Sequence, residues 1–172
     1  MQIQYQLDID DLVAFSLHHS RVSKNLKRRL LLTQAWGVFC SLMIALIWPG
    51  WSTTVKVIFF GVSSAFWVIA YPRYYRWVIK RNTRRNYSEG HNRGIVGEHV
   101  IVIDPEGVKE VSEVGESTTV WSGIERVEEN DNYLFLYTGP IQAHVIPKRG
   151  FADDQQITEF SQLARSYLSG SR

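Results

Sequence analysis

The sequence predicts a membrane α-hairpin of two transmembrane helices joined to a small α+β domain, and three observations carry that prediction. Two apolar stretches, residues 30–48 and 57–71, are separated by a short turn. Dense basic clusters stand on both outer flanks of the pair. From Gly97 onward the pattern changes to short alternating segments separated by turn residues, the mark of antiparallel strands.

The elements follow in chain order. Ile3, Tyr5 and Leu7 alternate with Gln2, Gln4 and Gln6, the period of a half-buried strand, and such a strand needs a partner sheet. Asp8, Asp10 and Asp11 then precede a helical pattern of Leu12, Phe15, Leu17 and Val22, acidic at its start and basic at its end as the helix dipole favours. This helix is expected to lie on the membrane surface or to run into the first span. His18 and His19 are adjacent on it and point about 100° apart, which suits a solvated face better than shared metal ligation.

The first apolar stretch is long enough to cross a bilayer, with Gln34 and Ser41 as its clearly polar members. The second reaches about 20 residues if Lys56 and Arg73 snorkel at its ends. Trp48 and Trp51 at the turn, and Tyr71, Tyr74, Tyr75 and Trp77 at the exit, sit where interfacial aromatic belts form. Arg21, Lys24, Lys27, Arg28 and Arg29 precede the pair, Arg73, Arg76, Lys80, Arg81, Arg84 and Arg85 follow it, and the turn Pro49-Gly50-Trp51-Ser52-Thr53-Thr54 is uncharged. Lys and Arg remain on the cytoplasmic side, so both termini are expected in the cytoplasm. Two buried helices of a soluble protein are the competing reading, and a cleaved signal peptide is not expected, because the first apolar run starts about 30 residues in. Gly37, Ser41 and Ala45 recur every four residues and are answered by Gly61 and Ala65. Such small-residue spacing lets helices approach closely, either within one hairpin or between chains of a homo-oligomer.

Charge divides the chain. Residues 1–86 hold 12 Lys or Arg and 3 Asp, a net of +9, whereas residues 87–172 carry −7. The basic part belongs at anionic headgroups, with the lipid bilayer as partner, and the acidic part is a poor nucleic-acid binder. Cys40 is the sole cysteine and falls inside the first span, so neither a disulfide framework nor a thiolate metal cluster can form.

After the second span, Tyr74, Tyr75, Trp77 and Val78 interleave with basic residues, which predicts a helical stalk that breaks at Ser88-Glu89-Gly90. Strands are expected at 100–103, at Val108 and Val111, and at 118–121, 124–127, 133–137 and 143–146. Turns fall at Asp104-Pro105-Glu106-Gly107, Asn130-Asp131-Asn132 and Gly139-Pro140. Ile157, Phe160, Leu163, Ala164, Tyr167 and Leu168 form one face of a final helix, with Asp153 as its cap, Gln156 three residues later and Phe151 fixing its entry. Short strands closed by one helix describe a pleckstrin-homology-like (PH-like) antiparallel barrel or sandwich. The expected divisions are 1–29 for the strand and amphipathic helix, 30–72 for the hairpin, 73–93 for the stalk and linker, and 94–172 for the PH-like domain.

Several segments of this half resemble the YcxB-like bacterial membrane proteins: Ile95-Val96-Gly97-Glu98-His99, Asp104-Pro105-Glu106-Gly107, Val120-Trp121-Ser122-Gly123-Ile124, Asn132-Tyr133-Leu134-Phe135-Leu136-Tyr137 and Ile146-Pro147-Lys148-Arg149-Gly150-Phe151. The resemblance implies a PH-like cytoplasmic domain on a two-span hairpin in the bacterial inner membrane, and it supplies no catalytic or binding residues.

Chemistry is sparse. Trp121, Ile124, Pro147 and Phe151 are expected to pack. Lys148 and Arg149 are the adjacent basic pair of the acidic half, beside a strand end and a helix start, and are the candidate ligand-binding residues for a phosphate or carboxylate. His91, His99 and His144 lack metal spacing, Gly90, Gly94 and Gly97 read as a flexible link, and Glu125, Glu128, Glu129 and Asp131 read as solvated charge. No catalytic residue, metal site or cofactor is expected. The expected function is a non-enzymatic, membrane-anchored interaction or sensing module that recruits a protein or small ligand. The alternative is a ligand- or partner-triggered oligomeric effector that disturbs the bilayer in a bacterial defence or stress system.

Overall fold

The computed structural model describes residues 1–88 and 95–171. The link glycines Gly90 and Gly94, with Glu89 and His91, lie outside the described residues. The chain forms two compact units, one of residues 1–15 and 83–172 and one of residues 16–82.

The α+β unit begins with β1 (Gln2–Leu7), whose alternating burial hides Ile3, Tyr5 and Leu7. Its partner is β2 (Gly97–Ile103), paired antiparallel with Ile3 opposite Ile101 and Tyr5 opposite His99. The N-terminal strand, set with residues 1–29 on sequence grounds, is therefore an edge of the C-terminal sheet. That sheet continues through β3 (Gly107–Ser112) and β4 (Gly115–Val120) in the order β1-β2-β3-β4. A second sheet has the order β5-β6-β7, from β5 (Arg126–Glu129), β6 (Tyr133–Tyr137) and β7 (Ala143–Pro147).

The antiparallel strands arise where expected, but among the described residues no barrel closes. Trp121 ends the first sheet by entering a single 3-10 turn, Trp121–Gly123, where its indole Nε1 donates to the Asp104 carbonyl at 2.7 Å. The chain then leaves for β5, and β4 and β5 are not paired. Leu134, Phe135, Leu136 and Tyr137 of β6 are completely buried, because β6 is the central strand of its sheet. A helix spanning Asp154–Gly170 covers the core with Phe160 and Ala164. Asp153 caps it by accepting from the Gln156 N–H at 2.8 Å, and the Gln156 side chain reaches back to accept from the Ala152 N–H at 2.8 Å, so one orphan helix donor and the N–H just before the cap are both satisfied.

The helical unit contains α2 (Lys24–Ile47) and a long helix made of α3 (Thr53–Ala65), a π-turn (Phe66–Ala70) and α4 (Tyr71–Ser88), whose last turns from Thr83 belong to the α+β unit. The preceding helix α1 (Ile9–Val22) likewise has its first part in the α+β unit, and it ends where Ser23 caps α2. Both long helices are apolar and long enough to cross a membrane. Pro72 follows the π-turn with only Tyr71 between. Proline has no N–H, so one carbonyl of the turn before it goes without its helical donor. The Gln34 amide of α2 donates to the Val68 and Trp67 carbonyls of that turn, at 3.4 and 3.3 Å, so the polar side chain inside the apolar stretch is bonded to its partner helix where the backbone ladder is irregular.

Candidate functional site

Alternation places one set of side chains from each strand on the inner face of the first sheet. Ile3, Ile101 and Ile103 are apolar there, but His99, Glu110, Ser112, Ser117 and Thr119 occupy the same face towards β4. An apolar layer that turns polar and small leaves unfilled space. A cavity of about 330 Å³ lies here, bounded by His99, Glu110, Ser112, Ser117 and His144 with walls that include Leu7, Leu12, Val114 and Val145.

Glu110 is the centre of this site. Its Oε1 accepts from the Tyr5 hydroxyl at 2.8 Å and meets His99 Nδ1 at 2.9 Å, while its Oε2 bonds His144 Nδ1. His99 Nε2 faces the Ile95 carbonyl at 3.2 Å, and Tyr5 stacks on the His99 ring with centroids 5.6 Å apart. His144 Nε2 lies 3.4 Å from Thr119 Oγ1. Side chains from β1, β2 and β7 thus converge on one carboxylate of β3, with Thr119 of β4 behind His144, and His144 carries the network from the first sheet to the second.

Burial alone would raise the Glu110 carboxyl, but the hydrogen bonds from His144, His99 and Tyr5 outweigh it and hold the group well below the usual carboxylate range. Burial, then the charge of Glu110 and its hydrogen bond, push the Tyr5 phenol far above its ordinary value. The site therefore keeps a fixed anion beneath a cavity with apolar walls, a combination suited to holding a small polar group of a ligand or a peptide side chain.

A second constellation involves Arg149. It sits in the 3-10 turn Lys148–Gly150 and donates to both Asp11 oxygens at 2.7 and 2.6 Å, to Asp8 at 3.3 Å and to the Gln6 carbonyl at 3.0 Å. Asp11 also accepts from the Tyr133 hydroxyl at 2.9 Å and from the Asp8 N–H at 2.7 Å. Burial opposes its charge, but the Arg149 hydrogen bond, then those from Asp8 and Tyr133, keep its carboxyl below the ordinary value. Gly150 is required beside it, since a Cβ there would come within 2.6 Å of Tyr5 Cβ. Lys148 donates to Glu129 at 2.7 Å, and Glu129 also accepts from Ser161 of the closing helix at 3.2 Å. The candidate pair Lys148 and Arg149 thus binds carboxylates of its own chain, tying the closing helix to β5 and the start of α1 to the domain.

The small residues separate into two groups. Gly37, Ser41 and Ala45 are the buried residues of α2, and a Cβ at Gly37 would fall inside the Trp67 indole. Gly61 and Ala65 are exposed, and nothing lies within 4 Å of a Cβ built at Gly61.

Residues 103–164 match the family model described as YcxB-like protein. The chain carries a YcxB-like domain. The matched segment, just over a third of the chain, runs from the end of β2 into the closing helix and includes Glu110, His144, Lys148 and Arg149. No curated protein and no solved structure matches the chain. Tyr5 and Asp11, partners of Glu110 and Arg149, come from the N-terminal arm outside the YcxB-like segment. Sequence reasoning missed Glu110 as the centre of a site. The available signal was parity: His99 shares a face with Ile101 and Ile103, and Glu110 with Val108.

Proposed function

We propose that the chain is a membrane-anchored, non-catalytic recognition module whose YcxB-like, PH-like domain lies on the cytoplasmic side and recruits a protein or small ligand at the Glu110 cavity. One observation carries the anchoring: β1 and β2 are paired from Gln2 opposite Val102 to Leu7 opposite Gly97, and the two long apolar helices are inserted between these strands in sequence. Paired strands share one side of any bilayer, so a chain that leaves through α2 must return before β2. Two crossings do this, and the basic flanks favour the cytoplasm for that side.

Exposure supports the same reading. Trp36 is 67% exposed, Ile47 75% and Val62 67%, whereas the buried residues of α2 are small. Helices that hide glycine and display tryptophan are matched to lipid. Seven antiparallel strands in two sheets, closed by a helix, support the PH-like assignment.

The test uses the full chain in bacterial cells. It should stay with the membrane through an alkaline carbonate wash. A photo-crosslinking residue at Val114, an exposed wall of the Glu110 cavity, should give a discrete adduct. Release by carbonate overturns the anchoring, and absence of any adduct overturns recruitment at this cavity.

A second reading, an oligomeric membrane effector, is favoured by the exposure of Gly61 and Ala65. Four residues apart on an uncovered face of α3, they leave room for a helix of another copy. Native mass spectrometry in mild detergent separates a single subunit from a discrete oligomer that Gly61→Leu dissolves.

A further inference from the structure

We propose that the helical unit holds an anionic phospholipid headgroup in a built pocket between Arg21 and Arg76, an inference that rests on the membrane-anchored reading. Residues 16–82 contain ten Lys or Arg and no Asp or Glu. Nine of the ten precede Leu30 or follow Pro72, and Leu30 and Pro72 line one cavity, so these cations gather at the end of the hairpin away from the Pro49 turn. The tenth, Lys56, donates to the Leu46 carbonyl at the turn end. No carboxylate within the unit can balance the nine.

These cations are not spread evenly over a solvated face. A cavity of about 480 Å³ is lined by Arg21, Lys27 and Arg76 with Ser20, Tyr75 and Leu30. An adjoining cavity of about 320 Å³ shares Arg21 and Arg76 and adds Arg73, Lys80 and Trp77. Among the described residues none of these five cations pairs with a carboxylate, and neither cavity has an acidic lining residue.

The chemistry of the lining selects the occupant. Guanidinium groups match a phosphate's oxygens with paired donors, and the Tyr75 hydroxyl adds a further donor. Leu26, Leu30 and Pro72 form the other wall. From Leu30 to Ile47 the apolar part of α2 rises about 27 Å, close to the hydrocarbon thickness, so this pocket falls at headgroup depth with its apolar wall facing the acyl chains. A free phosphate would use the cations and leave the apolar wall unused; a phospholipid with net negative charge uses both. Five cations also exceed what a zwitterionic headgroup can balance.

The test reconstitutes the full-length protein in nanodiscs of mixed phosphatidylcholine and phosphatidylglycerol and measures the lipid retained on detergent extraction by native mass spectrometry. Phosphatidylglycerol should be retained over phosphatidylcholine by at least about tenfold. The double variant Arg21→Gln with Arg76→Gln should lose that preference. Arg28→Gln with Arg29→Gln, which removes equal charge from the same end of the hairpin but no cavity wall, should keep it. Equal loss in both variants, or displacement of the lipid by inorganic phosphate, overturns the site. Entry into the disc without enrichment removes the site alone, whereas failure to enter the disc removes the anchoring reading and the site with it.

Discussion

In the α+β unit the largest side chains are the most hidden, and in the helical unit the smallest are. Phe135, Tyr137 and Phe160 are fully buried in the first, while Gly37, Ser41 and Ala45 are the buried residues of α2 in the second, where Trp36, Phe66 and Ile69 face outward. Polar groups are also used differently. In the α+β unit they converge on two carboxylates, the partly buried Glu110 and the buried Asp11, each held by three or more donors. In the helical unit Gln34 donates to two backbone carbonyls of the partner helix at its π-turn. One unit hides its apolar bulk and the other displays it, and each keeps its polar groups bonded in its own way.

The sharpest test of this contrast exchanges one large side chain in each unit. Phe135→Ala should destabilise the α+β unit by about 3–5 kcal/mol in denaturant unfolding, since the fully buried ring packs against Phe15, Tyr133 and Tyr137 and leaves a cavity among them. Ile47→Ala, at a position 75% exposed, should shift the same transition by less than about 0.5 kcal/mol. Equal effects would break the contrast.

Glu110→Gln comes next, with an expected loss of about 2 kcal/mol at pH 7, because the amide cannot accept from all three partners of the carboxylate. The folded carboxyl lies below its unfolded value, so its contribution is fully present above that value and is lost as pH falls through the acid range towards the folded one. The stability gap between wild type and Glu110→Gln should therefore narrow as pH falls from about 5 to about 3, read by denaturant titrations at each pH. A gap that widens on acidification would show that the carboxylate is not the stabilising form.

The last comparison, which ends on a near-neutral substitution, probes the hairpin. Gly37→Ala should cost about 1–3 kcal/mol of helix pairing, because Trp67 must move, and Gly61→Ala should be close to neutral because its surroundings are open. Detergent-titration unfolding followed by tryptophan fluorescence reads both. A loss at Gly61 equal to that at Gly37 would place a partner on the outer face and sharpen the oligomeric reading.

The elements themselves were legible locally. Alternation in residues 2–7, the cap at Asp153 and Gln156, and the apolar stretches each depend on neighbours a few residues apart, and each formed close to its expected position. The sheet arrangement was less legible: regular strand spacing fits a barrel as well as two sheets, and only the turn at Trp121, anchored 17 residues back on Asp104, ends the first sheet before β5. Lys148 and Arg149 stood out as a charged pair, but their carboxylate partners lie 19 and 138 residues away, so an apparent ligand site became an internal tie.

By itself the sequence determined where helices and strands form, the opposed charges of the two halves and the apolar length of the hairpin, because propensity, periodicity and composition act over short stretches of chain. Tertiary structure decided that the N-terminal strand completes the C-terminal sheet, that Glu110 gathers Tyr5, His99 and His144, and that Arg21 and Arg76 line one pocket. Each of those joins residues 11 to 105 positions apart, and a contact of that range exists only once packing has chosen among the many pairings the local pattern allows.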